Sequence, residues 1–174
     1  MKELRQTAQG QFSLRGKHLI LYGHDLDRSF ARYESSQNFN LVDVAALLLA
    51  GPAVLAVTKG YNFASNFQAS AGRSEIRTLV SDWKVERGVA QTQDVAMATN
   101  LNRVALKGGL DFVNARFDDV TVALVDTRGC LRVKQTLRGS FKKPLVEKPG
   151  AIKSLSGPVV KLFKQVENLF PGGA

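Results

Sequence analysis

Gly23-His24-Asp25-Leu26-Asp27 is the segment whose residue types come closest to chemistry. An imidazole beside two carboxylates can ligate a metal or pass protons. The only other histidine is His18, and no second acidic cluster is spaced to complete a ligand set. A helix-capping turn accounts for the same residues: Asp25 as N-cap, Asp27 favoured by the helix dipole. Capping is the reading preferred over a metal-dependent hydrolase, and no catalytic metal is expected. Asp118-Asp119 sits at a strand entry, where paired acids face solvent. Cys130 follows a turn glycine without a nearby histidine, so a small strand residue is expected there, not a nucleophile. No Walker, dinucleotide or hydrolase-elbow pattern occurs, and Thr58-Lys59-Gly60 lacks the glycine frame of a phosphate loop. The residues therefore argue against an enzyme and require no cofactor.

The elements that would position any site follow from periodicity. Gln11 to Tyr22 reads as two short strands around Arg15-Gly16. Leu26, Phe30 and Tyr33 fall at helical spacing behind the Asp25 cap. Asn40 is a second candidate cap, before Leu41 to Ala50, and the apolar run Leu41 to Val57 is short for a membrane span, holds Asp43 and breaks at Gly51-Pro52. It reads as two buried helical segments meeting at a turn, the second reaching about Phe67.

Period-two patterns then take over: Trp83 and Val85, Val95 and Met97, Val104 and Leu106, Val120, Val122 and Leu124, and Leu131, Val133 and Leu137. Turns are expected at Arg87-Gly88, at Asn100-Leu101-Asn102, at Gly108-Gly109 and at Asp126-Thr127-Arg128-Gly129. Gly88, Gly109 and Gly129, spaced by 21 and 20, trace a faint hairpin repeat. Trp83 is expected to be buried on the face it shares with Val85. Pro158, Val159, Leu162, Phe163, Val166 and Leu169 describe a closing amphipathic helix. The expected fold is α+β: a curved antiparallel meander packed around a helical segment, with that helix at the end. One domain spans 1–174, with a helical subregion at about 25–67, the meander at about 74–140 and the helix at about 158–170.

The net charge of +9 is uneven. Ten Lys or Arg and two acids, Glu147 and Glu167, leave +8 from Thr127 onward, and +1 on the first 126 residues. Nucleic acid would want aromatics interleaved with the basics, and only Phe141, Phe163 and Phe170 are available, two of them on the apolar side of a helix. No nucleic acid is expected. Lys153, Lys161 and Lys164 around the closing helix suit an anionic membrane surface better. One cysteine excludes an internal disulfide, and the polar Met1 to Ile20 stretch is no signal peptide.

Several blocks carry a resemblance to the C-terminal region of the AsmA family. They are Leu41-Val42-Asp43-Val44, Gly51-Pro52, Thr58-Lys59-Gly60-Tyr61, and the runs Leu79 to Val89, Asp94 to Thr99, Asn102 to Asn114, Phe117 to Asp126 and Gly129-Cys130. The likeness runs from about Gln11 to Pro144 and is a pattern, not a catalytic signature. It implies a periplasmic domain of a Gram-negative envelope protein, anchored in the inner membrane by a segment missing from this chain, as an excised domain would be. It also implies a part in outer-membrane biogenesis and phospholipid traffic, through an apolar groove like that of bridge-like lipid transfer proteins. On this expectation Val104, Leu106, Val120, Val122, Leu124, Leu131 and Val133 include a patch that contacts acyl chains. The partner is then a phospholipid or other acyl lipid, or alternatively other envelope proteins with no lipid bound.

Overall fold

Strands rich in β-branched residues and separated by Asp/Gly turns pair with their nearest neighbours in sequence, since short connections favour hairpins. The computed structural model, which describes residues 2–22, 25–28, 30–31 and 72–147, has that topology throughout. A helical turn, α1 (Lys2–Thr7), leads into β1 (Gly10–Tyr22). Then follow β2 (Arg73–Glu86), β3 (Val89–Ala98), β4 (Asn102–Asp111), β5 (Arg116–Asp126), β6 (Leu131–Ser140) and β7 (Lys143–Val146). Every adjacent pair is antiparallel, and the spatial order is the sequence order, β1 to β7. Residues 26–28 and 30–31 are helical. Most of the expected helical subregion and the whole expected C-terminal helix lie outside the described residues.

The sheet departs from the sequence reading in four places. Gln11 to Tyr22 is a single strand, paired with β2 from Gly10↔Val85 to Tyr22↔Arg73. Gly16 stands inside that ladder opposite Leu79, and the irregularity sits at His18, whose φ is 51°. The meander extends beyond 74–140, because β1 joins its front and β7 its back. Cys130 is exposed in the turn before β6, not within a strand.

Gly108-Gly109 is not a turn: both lie within β4, at a shift of register against β5. Gly108 has φ 135°, and a Cβ there would come 2.6 Å from the Val120 Cα. The residue marks a bulge with close backbone approach, the other circumstance that demands glycine. The chain reverses later, at 112–115, where Asp111 Oδ1 accepts hydrogen bonds from the backbone N–H of Val113 (3.0 Å) and Asn114 (2.9 Å).

The other expected turns are present. Arg87 (φ 48°) and Gly88 (φ 77°) both take the left-handed conformation of a tight hairpin whose twist matches its strands. This tip is clamped: Gly88 N–H donates to Ala8 O, and Phe112 N–H to Gly88 O, each at 3.0 Å. After β5, Asp126 Oδ1 accepts from the N–H of Arg128 (3.0 Å) and Cys130 (2.8 Å). Burial raises the pKa of this carboxyl, but those N–H groups and the Arg128 charge more than offset it, leaving it below the usual aspartate range.

The core lies on one face. Leu79, Met97, Val104, Leu124 and Val133 are directly paired from strand to strand and buried, with Leu106, Val120, Val122 and Leu137 beside them. Leu26 and Phe30 of the helical segment join the same cluster. The reverse face is also buried at its centre, but by small residues: Val80, Ala96, Ala105 and Ala123 form the neighbouring row.

Trp83 is 1% exposed, stacks on Phe12 with ring centroids 5.9 Å apart, and donates its indole N–H to Ser81 Oγ at 2.8 Å. Val85 is half-buried against the same cluster, as the alternation of the strand requires. Trp83→Ala is expected to cost about 3–5 kcal/mol in urea unfolding, from lost burial and the cavity left behind. A wild-type tryptophan emission typical of a water-exposed indole would contradict this placement.

Candidate functional site

Three places hold the residues with chemical potential: the helix-entry turn, the apolar face, and a polar pocket where β1 meets β2. At the first, Asp25 caps as expected, its Oδ1 accepting from Arg28 N–H at 2.9 Å. Asp27 does something the sequence did not disclose. Its Oδ1 accepts from Asn102 Nδ2 at 2.7 Å and lies 2.5 Å from the Thr99 hydroxyl, so it ties the helical segment to the β3–β4 turn. Asn102 and Thr99 are both buried, and Asn102 N–H donates to Thr99 Oγ1 at 3.0 Å. A charged acceptor for two buried donors is a structural use of the carboxylate, stronger than a neutral bond. His24 lies outside the described residues. His18 stands elsewhere, on β1, with Nδ1 2.8 Å from Glu75 Oε1, and that bond holds the Glu75 carboxyl below its usual pKa. Among the described residues no group of three or more His, Cys, Asp or Glu is arranged to hold a metal ion.

On the apolar face the structure brings six of the seven lipid-contact candidates together. Val104, Leu106, Val120, Val122, Leu124 and Val133 belong to one cluster and are at most 6% exposed. Leu131 does not join them. It pairs with Val125 across a register shift, stays half-buried and lies outside the core cluster. Among the described residues these six side chains pack in the core cluster. The membrane-surface candidates Lys153, Lys161 and Lys164 lie outside the described residues. Among the described residues no helix is long and apolar enough to cross a membrane.

The pocket was not foreseen. Gln11, Phe12, Ser13, Arg15, Asp82, Trp83 and Gln93 line a volume of about 400 Å³. Register explains its charges. Ser13 pairs with Asp82, and Asp82 with Asp94, so three strands project polar groups side by side on the reverse face. Gln93 is the extra residue where Asp82↔Asp94 gives way to Trp83↔Thr92. The Arg15 guanidinium and the Ser13 hydroxyl both bond Asp82. Asp94 faces Asp82 without such a bond. Burial, and then the Asp82 charge, raise its pKa above the ordinary value of 3.8, with Arg15 opposing. Two carboxylates placed directly opposite on neighbouring strands repel each other. Alternation in the sequence could have placed Asp82 and Asp94 on one face, but not opposite one another, because that depends on the bulge at Gln93.

Asp27 and Asp94 give separable expectations. Asp27→Ala strips the acceptor from the buried Asn102 amide and should cost roughly 1–3 kcal/mol. Asp25→Ala removes the cap bond, at about 1 kcal/mol. Urea titrations of the two variants rank them. For Asp94, the folded state binds the proton more tightly than the unfolded chain. Stability should therefore fall as pH rises from about 4 through the raised folded pKa. Asp94→Asn should remove that slope and gain a few tenths of a kcal/mol at neutral pH. Melting curves of the two proteins between pH 4 and 7 give the comparison, and a stability difference between them that does not widen with rising pH would refute it.

Comparison with protein-family models, with curated proteins and with solved structures found no match to this chain.

Proposed function

We propose that this chain is a non-enzymatic periplasmic domain of an AsmA-like envelope protein, serving outer-membrane biogenesis through phospholipid transport between the two membranes. The observation that supports this reading is the uninterrupted seven-strand antiparallel meander with one apolar face running across its strands. A sheet that winds strand after strand in sequence order, with register shifts at four of its six pairings, suits a curved trough. Acyl chains laid on such a face would gain about 0.8 kcal/mol per methylene removed from water. In the finer form of this reading, helices sit within the curve of the sheet and the basic C-terminal helix, with Lys153, Lys161 and Lys164, meets an anionic membrane surface.

One observation favours a second reading, an envelope assembly scaffold that binds proteins and no lipid. Six of the seven candidate lipid contacts are sealed, so lipid entry on this face would require the packing over them to open.

Native mass spectrometry of the purified protein separates the two, since bound phospholipid is expected for transport and absent for a scaffold. Glu scanned through Leu106, Val122 and Val133 adds a second readout. On a face that opens for lipid, at least one variant keeps its melting transition and loses bound lipid. In a permanently sealed core each variant unfolds, because an unpaired carboxylate is buried. The transport reading falls if no lipid is bound and all three variants unfold.

A further inference from the structure

The two edges of the sheet are built differently. β7 is four residues long and carries Lys143 and Pro144, features that discourage a further strand. β1 is thirteen residues long, has no proline, and among the described residues has a strand on one side only. It is exposed along most of its length, with Phe12 at 47% and Leu14 at 42%. The helical turn α1 does not shield it. Ala8 O and Arg5 Nη1 reach Gly88 and Phe112, in the β2–β3 and β4–β5 connections.

We propose that β1 pairs antiparallel with β1 of a second copy, joining two sheets into one around a two-fold axis at Ser13. Directly opposed residues of an antiparallel pair point to the same side, so this axis continues each face of the sheet into the same face of its partner. The charges on β1 exclude several registers, and of those left the Ser13 axis is the one that sets Phe12 and Leu14 on each other. An axis at Arg15 or Lys17 stacks like charges on themselves, and one at Gly16 sets Arg15 against Lys17, which is unfavourable directly across a ladder. The left-handed His18 ends the straight portion of the strand. With the axis at Ser13, residues 10–16 of the copies pair without opposing charges. Phe12 lies on Leu14 of the second copy, Gln11 on its Arg15, and Gly10 on its Gly16. The two most exposed apolar side chains of the straight portion are thereby covered on the face where Phe12 already stacks on Trp83. Ser13 and Arg15 keep their bonds to Asp82, which lies on the β2 side. A ladder this short makes a weak dimer that dissociates on dilution.

Sedimentation velocity over a concentration series, on the whole chain with Cys130→Ser, tests this. A monomer–dimer equilibrium is expected. Gln11→Lys, an exposed change that sets two positive charges across each half of the ladder, should weaken it several-fold, and Gln11→Glu should strengthen it by a similar factor. Ser13→Cys should form a disulfide-linked dimer under mild oxidation, because position 13 faces itself, whereas Gln11→Cys, offset by four residues from its own copy, should not. A chain that stays monomeric at the highest attainable concentration overturns the proposal. So does cross-linking at position 11 but not 13, or a monomer that takes up an acidic extended peptide on β1 instead.

Discussion

Leu79, Met97, Val104, Leu124 and Val133 stand opposite one another across five strands, and most of the structure depends on holding that row in register. Side chains alternate between faces with period two, so a slip of one residue in any strand would send its large side chains to the reverse face and its small ones into the core. The register shifts are placed accordingly. Those at Gln93, at Gly108 and at Asp118-Asp119 all fall on one side of the row, and the one between Leu124 and Val125 falls on the other. Bulges bend and twist a sheet where they occur, so curvature is introduced at its flanks while the central ladder stays regular.

The turns that an aspartate closes were legible in the sequence, because their chemistry is local. Asp126 binds N–H groups two and four residues ahead, and Arg87-Gly88 needs only two left-handed residues. Gly108-Gly109 misled for an equally physical reason. A glycine pair signals either a reversal or a close backbone approach, and Val120, the residue that forces the second, lies on the next strand. The β1–β2 pairing was illegible, since its partners are joined by some fifty residues and nothing local selects Phe12 as the neighbour of Trp83. Ala96, Ala105 and Ala123 read as spacers between larger residues. Only in the sheet do they become a row of small side chains buried on the reverse face.

The sites show the same division. Asp25 could be read as a cap because a cap acts over three residues, and the bond to Arg28 is that cap. The partners of Asp27 lie more than seventy positions away, at Thr99 and Asn102, and no spacing rule reaches so far. A carboxylate that looked like a metal ligand is thereby occupied by two buried donors. Asp82 and Asp94 carry the opposite lesson. A bulge brings them face to face, and Arg15, arriving from β1, bonds Asp82 and not Asp94.

These features converge on where recognition is easiest. Side chains of the apolar face are committed to one another, and displacing them would forfeit packing at every neighbouring position. Backbone groups on the outer edge of β1 have no such commitment among the described residues, and offering them to another strand disturbs nothing already formed. Among the described residues the opposite edge is a strand of four residues with a proline, which discourages pairing there. The polar pocket lies directly behind the open edge, and its Arg15 and Ser13 reach it from β1 itself. A strand added to that edge would therefore sit beside the pocket, with Arg15 and its partner Asp82 between that strand and Asp94.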